Sequence, residues 1–419
     1  MLVPGIIIQL LYDCHQLPKM SAQAPIAIIG GGPGGLILAR FLERAGLNYT
    51  VFERDGSPDD NLQGGTLDLH NGTGLTAIDA AGLRNEFEKY ARYEASVFSS
   101  QDFQGGHRFR SKAGNYDRPE IDRKQLRSLL LQSISADRVR WGKAVKTIQR
   151  NKAEGWRLQF ADGTVESGFR MIVGADGAFS AVRPLITPAK PKYSGKTYIE
   201  GRITPLNPQY AAAQDLAGPG GFTAIGAGRA VTLQQMSDTT YRIYAGIAEE
   251  DTSVTRAGGA LDFSDDRIEK ARAALLDRFA DFAPHLRSLI THAEGPWRVW
   301  PLYTLAAEDF APEAPWTRAA GVTLLGDAAH VALPNGEGVN IALLDALKLS
   351  ESLAAEGGNR GDGEAAIERA IVRYEKEMRE RAAEHVADGI NMCDMLFSAD
   401  GAQRIIAFFK QSEDAAGQA

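Results

Sequence analysis

The residues of this chain that could do chemistry begin with a glycine run, Gly30-Gly31-Gly32-Pro33-Gly34-Gly35. It stands between an apolar run, Ile26–Gly30, and a stretch of helical periodicity from Leu36 to Gly46. In such a GxGxxG pattern Gly30 permits the tight turn and Gly32 lets the backbone approach a pyrophosphate. Gly35 lets the helix pack closely on the strand. The helix start at Pro33 offers free N–H groups and a partial positive charge to phosphates. Glu53 and Arg54 end the next strand-like run, where an acid can grip ribose hydroxyls. A glycine-rich turn beside an ordinary surface glutamate is the plainer alternative, but strand, helix and acid fall in register for a dinucleotide. The fingerprint alone does not separate FAD from NAD.

The C-terminal half separates them. Leu324-Leu325-Gly326-Asp327 is an apolar run ending in an acid, followed by Pro334-Asn335-Gly336-Glu337-Gly338-Val339-Asn340. Asp327 can accept hydrogen bonds from a sugar-like polyol. A helix starting at Gly338 can point its positive end at a ring that becomes anionic on reduction, worth about 0.5–2 kcal/mol. A flavin gains from such a site and a nicotinamide needs none.

Taken in order, the GxGxxG with Glu53-Arg54, GADGAFSAVR (Gly174–Arg183) and GDAAHxxxP before GEGVN resemble the class A flavoprotein monooxygenases, the aromatic-hydroxylase-like group. The resemblance runs from Pro25 through nearly all the chain. It implies that Asp176-Gly177 supports FAD and the transient nicotinamide, that Arg123 of the RxxL segment contacts FAD, and that Gly326-Asp327 binds the ribityl and pyrophosphate region. A turn aspartate and a solvated arginine at a helix start are the plainer alternatives for Asp176 and Arg123. Gly64-Gly65-Thr66-Leu67-Asp68-Leu69-His70 is similar to a loop of the tetracycline-inactivating monooxygenases, whose aspartate matching Asp68 touches FAD; the run Trp297–Tyr303 resembles their strand returning from the substrate domain. Three departures stand out. The loop between His330 and Gly338 is one residue shorter, with Glu337 where glutamine is common. A basic residue that helps hold NADPH is replaced by Asn61. Glu200, Thr223 and Tyr244 fall where the tetracycline inactivators keep other polar residues. A Glu200 carboxylate facing an enolate-rich tetracycline would repel it unless protonated or bridged by a cation.

These residues need elements to position them. The expected fold is α/β: a Rossmann-like FAD-binding domain, an inserted antiparallel β-sheet domain for the substrate and a long C-terminal helix. Residues 25–80, 110–190 and 304–355 are assigned to the FAD-binding domain, and 81–109 with 191–303 to the substrate domain. Residues 356–419 form a C-terminal helical segment. Helices are expected over Arg123–Ile134, Asp265–His292, Gly338–Ala355 and Ala365–His385. TYIEGRI, FTAIG, AVTLQQM and YRIYAGIA read as strands of the inserted sheet. Glu200, Arg202 and Tyr244 lie on such runs, where alternation can turn them to the flavin or to solvent.

The bulk numbers set bounds. The chain has 419 residues, 44% hydrophobic and 24% charged, with a net charge of −7 and no long basic run, which gives nucleic acid little to bind. Its two cysteines, Cys14 and Cys393, make no metal spacing and no disulfide framework; no metal is expected. The first 24 residues are too short an apolar stretch to span a bilayer and poor as a signal peptide. They read as a disordered extension, with Met20 the natural start. The expected protein is cytoplasmic and monomeric, with no membrane partner.

No nucleophile, triad or metal cluster emerges, and no protein group is assigned a catalytic role. The resemblance implies that FAD carries the reaction, with NADPH or NADH as donor and O2 as oxidant, on a ring-containing small molecule such as a tetracycline or another aromatic polyketide. A reductase or oxidase of the same fold without oxygen insertion, and a non-catalytic flavin-binding module, stay open beside it.

Overall fold

A computed structural model describes residues 25–60, 64–111, 118–151, 155–357 and 363–416. The readings at Cys14, Met20 and Asn61 lie outside the described residues. Four sheets organise the described residues. The apolar runs assemble first into a parallel sheet of β1 (Ile26–Ile29), β2 (Tyr49–Phe52), β7 (Val139–Arg140), β11 (Met171–Gly174) and β17 (Val322–Leu324), in the order β17-β11-β1-β2-β7. β1, β11 and β17 are buried at every residue, because helices cover both faces of a parallel sheet. The MIVG run thus re-enters the sheet beside β1, with Ile26 opposite Met171. The strands before it, β8 (Val145–Asn151), β9 (Gly155–Phe160) and β10 (Val165–Phe169), form a separate antiparallel layer. A two-stranded ribbon pairs β3 (Thr66–Asp68) with β6 (Glu120–Asp122).

The fourth sheet has seven strands, β16 (Glu294–Thr304), β12 (Lys192–Ile203), β15 (Tyr241–Ala248), β14 (Arg229–Gln235), β13 (Gly221–Gly226), β4 (Phe98–Asp102) and β5 (Phe109–Arg110), in that order. Its central strands alternate as the sequence suggests. Ile199, Ile203, Tyr241 and Ile243 face a second core with Leu275, Phe279 and Leu286 beneath, and the opposite face is polar and aromatic. The pairing is not wholly antiparallel, since β4 runs parallel to β13. The segment 81–109 is also divided. Leu83 and Phe87 pack in the core of the parallel sheet, and the chain joins the seven-stranded sheet only from Phe98.

The helix expected at Asp265–His292 is two helices, Ile268–Arg278 and Pro284–His292. Pro284 can start a helix but not continue one, and Phe279 and Phe282 fill the core between them. Helix Arg123–Gln132 is shorter than expected; at its start Gln125 Oε1 reaches back to accept the Asp122 N–H at 3.3 Å, while the Asp122 carboxylate is taken by Arg92 and Ser237. Helix Gly338–Ala355 spans the residues expected of it. The C-terminal helix runs longer, Gly363–Leu396, and a further helix, Gly401–Ala416, follows. The long helix fastens β17 to the body: Tyr374 Oη donates to the Leu324 carbonyl at 2.8 Å and Thr323 Oγ1 to Glu375 at 2.8 Å.

Candidate active site

A cavity of about 1000 Å³ lies between the parallel sheet's glycine loop and the polar, aromatic face of the seven-stranded sheet. The sequence motifs form one side. Gly30, Gly32, Pro33, Glu53, Arg54, Arg123, Asp176, Gly177, Asp327 and Pro334 all border it. Gly30 sits at φ +110°, and a Cβ there would stand 2.2 Å from the Ala175 carbonyl oxygen, so only glycine fits. A Cβ on Gly35 would stand 2.1 Å from the Gly30 carbonyl, which keeps the helix against the strand. Gly32 meets nothing within 4 Å and leaves open space above the helix start.

The acids in this wall differ in their ties. Glu53 is buried; its Oε2 accepts the Gly31 N–H at 2.6 Å and its Oε1 the Asp55 N–H at 3.0 Å. Asp176 Oδ2 accepts the Ala181 N–H at 2.7 Å, while its buried Oδ1 has no partner among the described residues. Burial lifts the Asp176 carboxyl above the ordinary range, against hydrogen bonds from Ser180 and Ala181. Asp327 is exposed at the first residue of a short helix. Its position is set by Arg183, a nearly inaccessible guanidinium. Arg183 donates through Nε to the Ala328 carbonyl at 2.8 Å, through Nη1 to Ala178 at 2.7 Å and through Nη2 to Asp327 at 2.7 Å. Behind it, buried Asp345 accepts the Gly326 N–H at 3.0 Å, His330 Nε2 at 2.6 Å and Arg381 Nη2 at 3.0 Å. Burial, with the His330 charge beside it, pushes His385 in the same cluster down to about 4.

Gly35, Asp68, Gly338, Val339 and Asn340 do not border the cavity. Asp68 Oδ2 instead meets His70 Nε2 at 2.7 Å, and Glu337 Oε1 meets the other ring nitrogen at 2.7 Å. The His70 bridge therefore ties the Gly64–His70 loop to the start of helix Gly338–Ala355. Burial opposes charge on this ring, but the two carboxylates outweigh it and raise His70 to about 9. Asn340 adds to the same tie from a fully buried position. His70, Arg183 and Asp345 carry this second layer, and sequence reading assigned none of them a role. His70 and Arg183 lay inside motifs already singled out, whereas Asp345 gave no signal in a plain helical run.

The opposite side is built from the seven-stranded sheet, through Tyr198, Glu200, Thr232, Gln234, Tyr244, Trp300 and Leu302. Of the expected substrate residues, Glu200 and Tyr244 border the cavity and Thr223 and Arg202 do not. Thr223 is buried one strand further out, its hydroxyl 3.2 Å from that of Thr232. Arg202 lies one strand repeat beyond Glu200 and is exposed. Glu200 departs from expectation in another way, because it has no accessible surface. Its Oε1 accepts Arg242 Nη1 at 2.7 Å, with Arg298 at 3.7 Å, and its Oε2 accepts Trp300 Nε1 at 2.7 Å. The charge is met by arginines of its own sheet, so the expected repulsion of an anionic ring falls away.

These residues fit an FAD. The unpartnered Asp176 Oδ1 and the open space over Gly32 and Gly177 leave hydrogen-bonding and steric room along one continuous wall. Among the described residues no group of His, Cys, Asp and Glu is placed to hold a metal ion, and no helix is long and apolar enough to cross a membrane. The sequence model of the FAD binding domain family matches residues 23–202 and 303–388. Monooxygenase penA of Penicillium thymicola is 30% identical over an alignment of 429 residues, covering 92% of this chain and 98% of that protein. The structure of Klebsiella pneumoniae HpxO complexed with FAD and uric acid superposes with a TM-score of 0.71 at 22% identity, over 94% of both chains. That of the tetracycline destructase Tet(51) gives 0.67 at 17% identity, over 93% of this chain and 98% of its own. At those identities the two structures speak to the fold.

Proposed function

We propose NAD(P)H as the electron donor for a chain that belongs to the FAD binding domain family and is a class A FAD-dependent monooxygenase. The balanced reaction is R–H + O2 + NAD(P)H + H⁺ → R–OH + NAD(P)⁺ + H2O, with R a ring-containing small molecule. A tetracycline-like compound or another aromatic polyketide is the substrate class in view, and antibiotic inactivation is the role it would carry. FAD, when bound, supplies acceptance of two electrons from the donor and activation of O2. We place the work in the cytoplasm, by a monomer, with residues 25–80, 110–190 and 304–355 serving the cofactor and 191–303 the substrate.

The chain's own residues bind, orient and exclude water. Gly30, Gly32, Pro33, Glu53 and Arg54 would hold the dinucleotide end, and Arg123, Asp176, Gly177, Asp327 and Pro334 the stretch toward the ring. The N-terminus of helix Gly338–Ala355, which starts behind the cavity wall, would act on negative charge at the reduced ring only through its dipole. Tyr198, Tyr244, Trp300 and Leu302 displace water from the opposite wall, which protects reactive oxygen from being lost as H2O2. The observation that carries this reading is a cavity with a nucleotide-type glycine loop on one side and an aromatic sheet face on the other. The test is to incubate the FAD-loaded protein, NADPH and a panel of tetracyclines and phenolic polyketides in ¹⁸O2. A product heavier by one labelled oxygen, with NADPH oxidation quickened by substrate, is expected. NADPH consumption with no labelled product from any compound would point instead to a reductase or oxidase.

A further inference from the structure

The polar face of the seven-stranded sheet continues past the cavity wall. Cross-strand register places Glu200 between Tyr244 on β15 and Arg298 on β16. The next step along β12 brings Arg202 directly opposite Arg242. Directly opposed residues in an antiparallel pair project on the same side, here the side opposite the Ile203 and Ile243 core. Arg242 and Arg298 therefore flank the buried Glu200 carboxylate at the cavity wall, and Arg202 stands on the same face about 7 Å further along the strand.

The charges do not balance. Arg242 and Arg298 share the same Glu200 oxygen, and the other oxygen is taken by Trp300. Arg202 is exposed and has no ion-pair or hydrogen-bond partner among the described residues. The buried Nε of Arg242 is also without one. The acid across the strand bulge from Arg202, Glu294, is engaged by Thr204 Oγ1 at 3.2 Å and Asn207 Nδ2 at 2.8 Å. Like charges directly opposed on a sheet are destabilising, and a cluster of arginines with spare N–H donors matches a carboxylate or phosphate.

We infer that Arg202, Arg242 and Arg298 form an anion site at the outer edge of the cavity, for a carboxylate or phosphate on the molecule that enters along the sheet. The inference rests on the reaction proposed above, because it takes the visitor to be substrate or NADPH. A carboxylate there would anchor one end of an aromatic substrate while its ring reaches the Trp300 and Tyr244 wall. A phosphate there would belong to the nicotinamide donor.

The test uses FAD-loaded protein without NAD(P)H, so that binding is read apart from turnover. Calorimetric titrations with salicylate, phenol and inorganic pyrophosphate are run on wild type, Arg202→Gln and Arg298→Gln, with circular dichroism as the check of folding. The exposed Arg202 can be changed without touching the Glu200 ion pair. The wild type should bind salicylate or pyrophosphate, each variant should weaken that anion roughly tenfold, and phenol should be unaffected. The KM values for NADPH and NADH then identify the source. A rise for NADPH alone assigns the 2′-phosphate, a rise for both donors assigns their shared diphosphate, and unchanged values with weakened salicylate assign the substrate carboxylate. If wild type binds neither anion, or neither variant changes the anion that it binds, the site does not exist. A failure of oxygen insertion would appear separately, as absence of labelled product from a protein that still binds the anion.

Discussion

Asn340 and His70 are 270 positions apart in sequence, yet the Asn340 side-chain oxygen accepts the His70 backbone N–H at 2.9 Å. The same amide donates to the Asp68 carbonyl at 2.9 Å. Helix Gly338–Ala355 and the Gly64–His70 loop are thereby locked at the back of the cavity wall. Asn340→Ala would leave buried backbone groups unpaired at a cost of about 1–3 kcal/mol. Urea unfolding should show that loss, and FAD should dissociate faster. An unchanged midpoint would mean that the loop is held by something else.

The His70 bridge makes a pH signature. The imidazolium is held to about 9 in the folded protein, against roughly 6.5 in an unfolded chain. Its contribution, on the order of 3 kcal/mol, is complete below pH 6.5 and is lost as pH rises from there through 9. Stability of the wild type should fall across that window, and His70→Gln should flatten the fall. Parallel curves for the two proteins would remove His70 as the cause.

Asp327→Ala removes a carboxylate exposed to the cavity without disturbing the Arg183 bond, which is made to the Asp327 backbone. FAD affinity should drop by ten- to hundred-fold, about 1.5–3 kcal/mol, with the protein still soluble. Flavin fluorescence on dilution reads this directly, and equal affinity for both proteins would place the ribityl region elsewhere.

Glu200→Gln leaves Arg242 facing a neutral amide in a site with no accessible surface at position 200. Breaking a buried pair from one side costs about 3 kcal/mol or more. Chemical unfolding should register that loss, and tetracycline binding should not improve. Tighter tetracycline binding at undiminished stability would restore Glu200 as a direct, repulsive contact.

The glycine loop, Glu53, Asp176 and Asp327 were legible in the sequence because each sits at the end of a buried apolar strand, where spacing alone fixes its position. The Gly338–Ala355 helix was legible for its uninterrupted period. What escaped was set by other forces. β4 pairs with a strand more than a hundred residues away, and such a partner leaves no local trace. Pro284 divides a helix that periodicity alone carries through. Arg202 and Thr223 lie on β runs of the right kind but off the cavity wall, one strand repeat along and one strand across, which alternation does not report. Glu200 lies on the cavity wall, but its burial leaves no local trace in the sequence, since its screen is the ring of Trp300 and the guanidinium of Arg242, brought from two other strands.

The order of the parallel sheet has a consequence for the newborn chain. β1, β2 and β11 are complete once Gly174 has been made, but the strand that covers the edge of β11 is Val322–Leu324. At the pace of translation, β11 waits roughly 7–30 s with one edge bare. Its cover then stays loose until the helix carrying Tyr374 and Glu375 emerges to pin it. An open, wholly apolar strand edge invites pairing with another chain. A ribosome that stalls before Val322 therefore releases a sticky fragment rather than a half-enzyme, and yield in a host cell will follow chaperone supply more than the strength of the finished core.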